Sequence, residues 1–285
     1  MSKKPVIAVI GTGIMGTGIA RNFLENGYTV HTWNRSPERM KDLVRSGAEL
    51  ASTPRKAAAN ADIVFEVTAN DDSSRSVWLG DEGILVGAGP SNVMITCATL
   101  SVDWTDELAK ICTEKNQPFF DMPMTGGRKG AENGNLILLS GGDKTKLSSL
   151  KPDLKAIAKD ILYFGSAGSG MRYKLILNSL QAVLIAEFGE AMRMSRETGL
   201  DDEVVAKALS ELPGGYTLQL MQQNYPKSPR PINFSVDWIT KDLKYAKQMA
   251  TGSAYPLLEQ ALKEYEKKVL EGGGQDDWSS ISYPE

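Results

Sequence analysis

Lysines, carboxylates and backbone amides must carry most of the chemistry open to this chain, because its 285 residues include one histidine, His31, and two cysteines, Cys97 and Cys112. The cysteines form no C-x-x-C pair, so neither a thiol–zinc site nor a Ser–His–Asp triad is expected. They read as reduced packing residues. Lys174 and Asn178 are four apart and share one face of any helix that holds them. Lys241 and Asp242 form a second pair, here a lysine beside a carboxylate. Reduction of a carbonyl by hydride needs a group that protonates the oxygen as hydride arrives and takes the proton back in reverse. With no histidine free for the task, a lysine is the best candidate, since partial burial and a neighbouring cation bring its pKa down. On spacing alone the Lys174/Asn178 pair also suits a solvated helix face.

A second constellation suits a dinucleotide. In Val6-Ile-Ala-Val-Ile-Gly11-Thr12-Gly13-Ile14-Met15-Gly16, an apolar run runs into G-x-G-x-x-G spacing and then a helical pattern. Gly11 allows the tight turn off a strand, Gly13 lets backbone N–H groups approach a pyrophosphate, and Gly16 lets helix and strand pack closely. The helix N-terminus supplies unpaired donors and partial positive charge. A second strand, Thr29 to Trp33, ends at Asn34-Arg35-Ser36-Pro37, where NAD-specific proteins carry an acidic residue for the ribose 2′-hydroxyl. A guanidinium beside a hydroxyl fits a 2′-phosphate instead, so NADP(H) is expected over NAD(H). The plainer alternative for Arg35 is a solvated surface charge.

The surrounding elements are those needed to hold such groups. Strands are predicted at Ile63 to Val67, Asn92 to Cys97, Pro118 to Asp121, Leu136 to Leu139 and Ile161 to Phe164, alternating with helices, which implies a doubly wound sheet. Ser36-Pro37 and Thr53-Pro54 read as helix starts. After Phe164 the cluster Gly165-Ser-Ala-Gly-Ser-Gly170 reads as a hinge, followed by one long helix from Met171 to about Gly199. Further helices are expected near 202–211, 237–251 and 256–270, with loops at Pro213-Gly-Gly and from Pro226 to Pro231. The boundary is placed near 165, giving domains 1–165 and 166–285. A long helix exposed on two sides would favour burial against a second subunit, so a homodimer or homotetramer is expected. Formal net charge is -3 with no long basic run, which argues against a nucleic-acid partner. No apolar run reaches membrane-spanning length, and the short polar start leaves no room for a signal peptide, so a cytoplasmic location is expected.

Four segments in order resemble the β-hydroxyacid dehydrogenases, relatives of 3-hydroxyisobutyrate and 6-phosphogluconate dehydrogenases. Gly11 to Asn22 is similar to the family's G-x-G-x-M-G-x-x-M-A-x-N opening. Asp121-Met-Pro-Met-Thr-Gly-Gly-Arg-Lys-Gly-Ala131 is similar to its D-x-P-V-S-G-G-x-x-G-A loop. Gly168-Ser-Gly-Met-Arg-Tyr-Lys174-Leu-Ile-Leu-Asn178 is similar to its G-x-G-x-x-x-K-x-x-x-N helix, and Lys241-Asp242-Leu to its K-D-L segment. The resemblance implies that Lys174 is the acid/base, that Asn178 positions it at the substrate, and that Asp242 orients the lysines. It implies that Thr125, Gly126 and Gly127 hold the substrate carboxylate. Gly11, Thr12, Gly13, Ile14, Met15 and Gly16, with Asn34, Arg35 and Ser36, would hold the cofactor; Thr68, Ala69, Ser73 and Thr99 would line its nicotinamide side, and Lys241 would reach it. Asn34-Arg35-Ser36 resembles the NADP-preferring glyoxylate and succinic semialdehyde reductases. Thr125 stands where serine is usual, Ala98 where a serine usually precedes Thr99, and Thr68-Ala69 where Leu-Pro is usual; these departures bear on the substrate more than on the reaction.

The expectation is therefore an α/β protein, a Rossmann-type doubly wound sheet followed by an all-α C-terminal domain. It would reduce a small acidic aldehyde or semialdehyde, such as glyoxylate or succinic semialdehyde, with NADPH and without a metal. Two alternatives share the architecture: an imine reductase, which commonly lacks the lysine, and a non-catalytic NADPH-binding assembly module.

Overall fold

The computed structural model describes residues 4–211, 232, 235–237, 239, 240, 243, 254 and 256–282; within them, only the backbone is described at 178–190, 202, 210, 211, 279 and 282. The chain divides into two compact units, Met1–Asn178 and Ser179–Glu285.

The first unit is built on a nine-stranded sheet. Strands β1 (Ile7–Ile10), β2 (Val30–Trp33), β3 (Glu49–Leu50), β4 (Ile63–Glu66), β5 (Val93–Thr96) and β6 (Phe119–Asp121) lie in the order β3-β2-β1-β4-β5-β6, all parallel. That is the dinucleotide-binding order, with the chain reversing direction across the sheet between β1 and β4. Strands β1, β4, β5 and β6 are buried along their whole length, as their continuous apolar runs require of a sheet covered on both faces. Alternate residues of β1 serve opposite cores: Ile7 and Val9 pack with Phe23 and Phe65, whereas Ala8 and Ile10 pack with Trp78 and Trp104.

Beyond β6 the sheet departs from the expected pattern. A two-residue strand β7 (Met124–Thr125) and β8 (Leu136–Gly141) run antiparallel to each other, β8 is antiparallel to β6, and β9 (Ala158–Gly165) is parallel to β8. β3 and β7 leave no mark in the sequence, because two residues show no alternation.

The helices begin where side chains or glycines let them. Helix α1 (Ile14–Glu25) stops before Gly27, whose φ of 73° suits a residue without a Cβ. Ser36 does stand before a Pro-led element, but that is a 3₁₀ turn, Pro37–Met40, and the serine hydroxyl makes no capping bond. It is followed by α2 (Lys41–Arg45), then α3 (Pro54–Ala59), where the Thr53 side chain accepts the Lys56 N–H as expected of an N-cap. Next come α4 (Asp71–Leu79), α5 (Ile84–Gly87), α6 (Val102–Glu114), α7 (Gly127–Glu132) and α8 (Lys144–Leu154). Helix α9 (Ser169–Glu197) is the expected long helix and ends at Gly199, φ 74°.

In the second unit α10 (Asp202–Glu211) and α11 (Pro256–Lys268) occupy the predicted positions. The tail returns to pair Ser235 with Asp277, and Gln275 Nε2 donates to Asp237 Oδ2 at 2.7 Å. The Pro213-Gly-Gly and Pro226 to Pro231 loops lie outside the described residues, as does most of the helix expected over 237–251. No helix among the described residues is long and apolar enough to cross a membrane.

One contact joins the two glycine-bearing loops of the first unit. A Cβ on Gly18 of α1 would lie 2.6 Å from the Ala131 carbonyl oxygen of α7. Asn22, buried one turn on, donates to both Gly18 O at 2.8 Å and Ala131 O at 2.7 Å. The helix that follows Gly13 is thereby fixed against the helix that follows Gly126. Gly18→Ala should overpack this seam and lower unfolding stability by about 1–3 kcal/mol, read from urea denaturation.

Candidate functional site: a dinucleotide cleft and a buried lysine

A cleft of about 600 Å³ opens at the carboxyl ends of β1, β2 and β4, at the reversal point of the sheet. Gly11 leaves β1 with φ 98°, and a Cβ there would meet Val67 O at 2.4 Å; one on Gly16 would meet Gly11 O at 2.0 Å. The turn and the helix approach are thus closed to any larger residue. Gly13 differs: nothing lies within 4 Å of where its Cβ would be, so its backbone faces open space. Its N–H lies at the start of α1, where no side chain caps the helix. Thr12 Oγ1 and Thr68 Oγ1 are buried polar atoms with no hydrogen-bond partner among the described residues. The size of the cleft, its uncapped helix start and the orphaned Thr68 hydroxyl on its wall fit a dinucleotide with its phosphates at Gly13.

Gly11, Gly13, Ile14, Met15, Gly16, Asn34, Arg35, Thr68, Ala69 and Ser73, all singled out from sequence, line this one cleft. Thr12 is buried, and neither it nor Ser36 is among the lining residues. Asn34 Nδ2 donates to Ser36 O at 3.1 Å, which shapes the turn after β2. Arg39, absent from the sequence reading, joins Arg35 on the wall; its signal was the four-residue spacing across the Pro37–Met40 turn. No carboxylate among the described residues forms an ion pair with either arginine, although Asp72 lines the same cleft. The Ser73 hydroxyl is engaged locally, completing a capping box with Asn70 at the start of α4.

A shallow hollow of about 390 Å³ shares Ala69, Asn70 and Asp72 with the cleft and is lined on its other side by Thr99, Leu100, Ser101 and Leu175. Thr99 therefore belongs to this hollow, next to the α9 turn that carries Lys174. Lys174 is half-buried, and burial pushes its ammonium pKa below the usual lysine range. Asn178 lies one turn on in α9 with only its backbone described, and Lys241 and Asp242 lie outside the described residues. Thr125 ends β7, paired with Ile137, and Gly126 and Gly127 follow at φ 117° and 60°, conformations that glycine adopts freely. Neither hollow includes this turn.

Two buried carboxylates were not recognised from sequence as site groups. Glu66, fully buried at the end of β4, accepts the Thr68 N–H at 2.8 Å and the Thr96 hydroxyl at 2.5 Å. Asp121, fully buried at the end of β6, accepts the Gly168 N–H at 2.7 Å and the Met171 N–H at 2.6 Å. The available signal was a single acid closing an apolar strand in Ile63-Val-Phe-Glu66 and in Phe119-Phe-Asp121.

A glycine loop at the switch point of a doubly wound sheet, opening on a cleft of dinucleotide size, marks an NAD(P)-binding oxidoreductase fold. Residues 6–165 match the model of the NAD-binding domain of 6-phosphogluconate dehydrogenase, and residues 168–283 match that of the NAD-binding domain of NADP-dependent 3-hydroxyisobutyrate dehydrogenase. The chain belongs to the 3-hydroxyisobutyrate dehydrogenase family. It is 31% identical to the Bacillus subtilis oxidoreductase YfjR, over 96% of this chain and 98% of that one. It is 28% identical to the chloroplastic glyoxylate/succinic semialdehyde reductase 2 of Arabidopsis thaliana, over 96% of this chain and 78% of that one. An imine reductase from Pseudomonas sp. shares the fold, with TM-score 0.83 at 20% identity over 98% of this chain and 99% of that one.

Burial pushes the Asp121 carboxyl up to about 6, against the two N–H donors and the Arg172 charge, which pull it down. A raised carboxyl pKa means that the folded protein holds the proton longer than the unfolded chain. The stability this provides is complete below pH 4 and lost as pH rises through about 6. Between pH 4.5 and 7 the group should take about 2 kcal/mol from unfolding stability, and Asp121→Asn should flatten that part of a urea-unfolding pH series.

Proposed function

We propose that the protein is an NADPH-dependent reductase of a small aldehyde or keto acid bearing a carboxylate, with Lys174 as the general acid/base. The observation that carries the reading is a half-buried lysine with depressed pKa on the α9 turn whose Leu175 lines the hollow adjoining the dinucleotide cleft. When bound, the reduced nicotinamide supplies hydride to the carbonyl carbon. Lys174 gives its proton to the carbonyl oxygen, and in reverse the neutral amine takes it from the alcohol. A lowered pKa makes the ammonium a better donor near neutral pH. The Thr125 hydroxyl and the N–H groups of Gly126 and Gly127 hold the substrate carboxylate, Asn178 and Asp242 orient the lysine, and Lys241 reaches the cofactor. Residues 1–165 serve the cofactor, and residues 166–285 serve the substrate and assembly into a homodimer or homotetramer. The relationship to the Arabidopsis reductase supports the choice of glyoxylate or succinic semialdehyde as first substrates.

The lysine also weighs against the imine reductase alternative, and a cyclic imine belongs in the same substrate panel. With NADPH saturating, Lys174→Ala should lower kcat by roughly 10²–10⁴-fold with NADPH affinity intact. Near-full turnover in that variant would refute the assignment.

NADP preference rests on Arg35, in the Asn34-Arg35-Ser36 stretch after β2 that holds no Asp or Glu, and on Arg39 in the turn that follows. A charge-assisted bond to a 2′-phosphate is worth about 1.5–3 kcal/mol. Arg35→Ala should therefore raise KM for NADPH roughly tenfold to 100-fold while KM for NADH changes less than twofold. Equal losses with both cofactors would show that the arginine does not select the phosphate.

A further inference from the structure

Glu66 and Asp121 occupy one rung of the sheet. Glu66 pairs in register with Thr96 on β5, and Thr96 pairs with Asp121 on β6. All three are fully buried, and the carboxylates stand two strand spacings apart, about 9–10 Å between backbones. Each spends its charge on backbone outside the sheet. Glu66 reaches forward to Thr68, in the loop that lines the dinucleotide cleft, and is held from the side by the Thr96 hydroxyl. Asp121 binds the N–H groups of Gly168 and Met171, the entry to α9, and Lys174 follows Met171 by three residues. The contact has no slack: a Cβ on Gly170 would sit 2.1 Å from Leu139 O and 2.9 Å from Asp121 O. Of the other ties on this turn, Arg172 to Asp106 at 2.7 Å is half-exposed and adds little by comparison, whereas Met171 Sδ accepts the buried Leu100 N–H at 3.2 Å. Asp121 also opens the segment that leads within four residues to Thr125.

We infer that this rung is the positioning device of the site: Asp121 sets the place of Lys174 through the first turn of α9, and Glu66 sets the cofactor loop through Thr68. The inference rests on Lys174 being the proton donor. A buried carboxylate accepting two backbone N–H groups holds a helix end more tightly than a neutral cap, since charge-assisted bonds are the stronger ones and the helix start favours negative charge. A small displacement of a catalytic group costs heavily in rate, so the first effect of loosening α9 falls on the chemical step.

The test compares full-length Asp121→Asn and Glu66→Gln with the unsubstituted protein by three readouts: amide hydrogen exchange, NADPH affinity from cofactor fluorescence, and steady-state kinetics with glyoxylate and succinic semialdehyde. Asp121→Asn keeps the shape but loses one acceptor and the charge. It should speed exchange at 168–171 roughly tenfold or more, leave NADPH Kd within twofold, and lower kcat roughly tenfold to 100-fold. Glu66→Gln should show the opposite split, with faster exchange at Thr68, weaker NADPH binding and unsubstituted exchange rates at 168–171. Unchanged exchange at 168–171 in folded Asp121→Asn overturns the anchoring. Faster exchange with unchanged kcat, where Lys174→Ala abolishes turnover, overturns the link to catalysis. If Lys174→Ala retains turnover, the proton-donor reading falls, and the exchange data still decide the anchoring. Should Asp121→Asn not fold, Asp121→Glu takes its place under the same criteria; failure of both to fold marks the carboxylate as purely structural and overturns the proposal.

Discussion

The first unit depends on one close approach of backbone to backbone. The chain leaves β1, turns at Gly11 against the Val67 carbonyl and starts α1 with Gly16 against the Gly11 carbonyl. Both contacts are too short for a Cβ. They bring the helix start to the reversal point of the sheet, where neighbouring strands leave a crevice. Donors and partial positive charge are then fixed by the main chain before any side chain acts. The same close packing recurs at Gly18 against Ala131, so the loop before α1 and the loop before α7 are set by one seam.

The carboxyl edge of the sheet does more than hold a crevice. Along one rung run Ile10, Glu66, Thr96, Asp121 and Gly141, each the in-register partner of the next. Ile10 packs into the core, Glu66 and Asp121 hold the backbone of the loop and helix above, and Gly141 makes room for the Asp121 carboxylate, since a Cβ there would clash with Oδ1. Strand ends in a parallel sheet are good anchors because the strands behind them are buried along their length. A side chain attached there inherits the rigidity of the core.

The parts legible in sequence were those with a local signature. The turn from β1 into α1, the Thr53 cap and the long run of α9 follow from residue spacing and glycine conformation, and the structure places them there. The cleft residues from Gly11 to Ser73 came together because a doubly wound sheet brings the ends of β1, β2 and β4 to one place. The antiparallel turn of β8 and the short strands β3 and β7 were hidden, since pairing direction leaves no mark on an apolar run. Arg39 was hidden by its position on a turn, where an exposed arginine looks like any other. Glu66 and Asp121 were hidden for a different reason. Both have partners far off in sequence: the Thr96 hydroxyl for Glu66, 30 residues away, and the N–H groups of Gly168 and Met171 for Asp121, 47 and 50 residues away. A helix cap three residues away leaves a local signature, but no pattern of residue types records a bond to main chain so distant in sequence.

That concealment bears on why the acids are there. A buried carboxylate with a raised pKa is a net cost to stability at neutral pH, as Asp121 illustrates. An apolar residue at the end of β6 would pack without that cost, but it would leave two N–H groups at the start of α9 without an acceptor. Water can satisfy such donors only where it can reach them, and here the rung is closed. The acid is therefore the group that lets α9 begin flush against the sheet. Once α9 begins there, Lys174 is carried into a half-buried position with a lowered pKa. The charge that destabilises the fold thus fixes the helix on which the depressed lysine stands, and the two titrating groups are consequences of a single packing decision at the edge of the sheet.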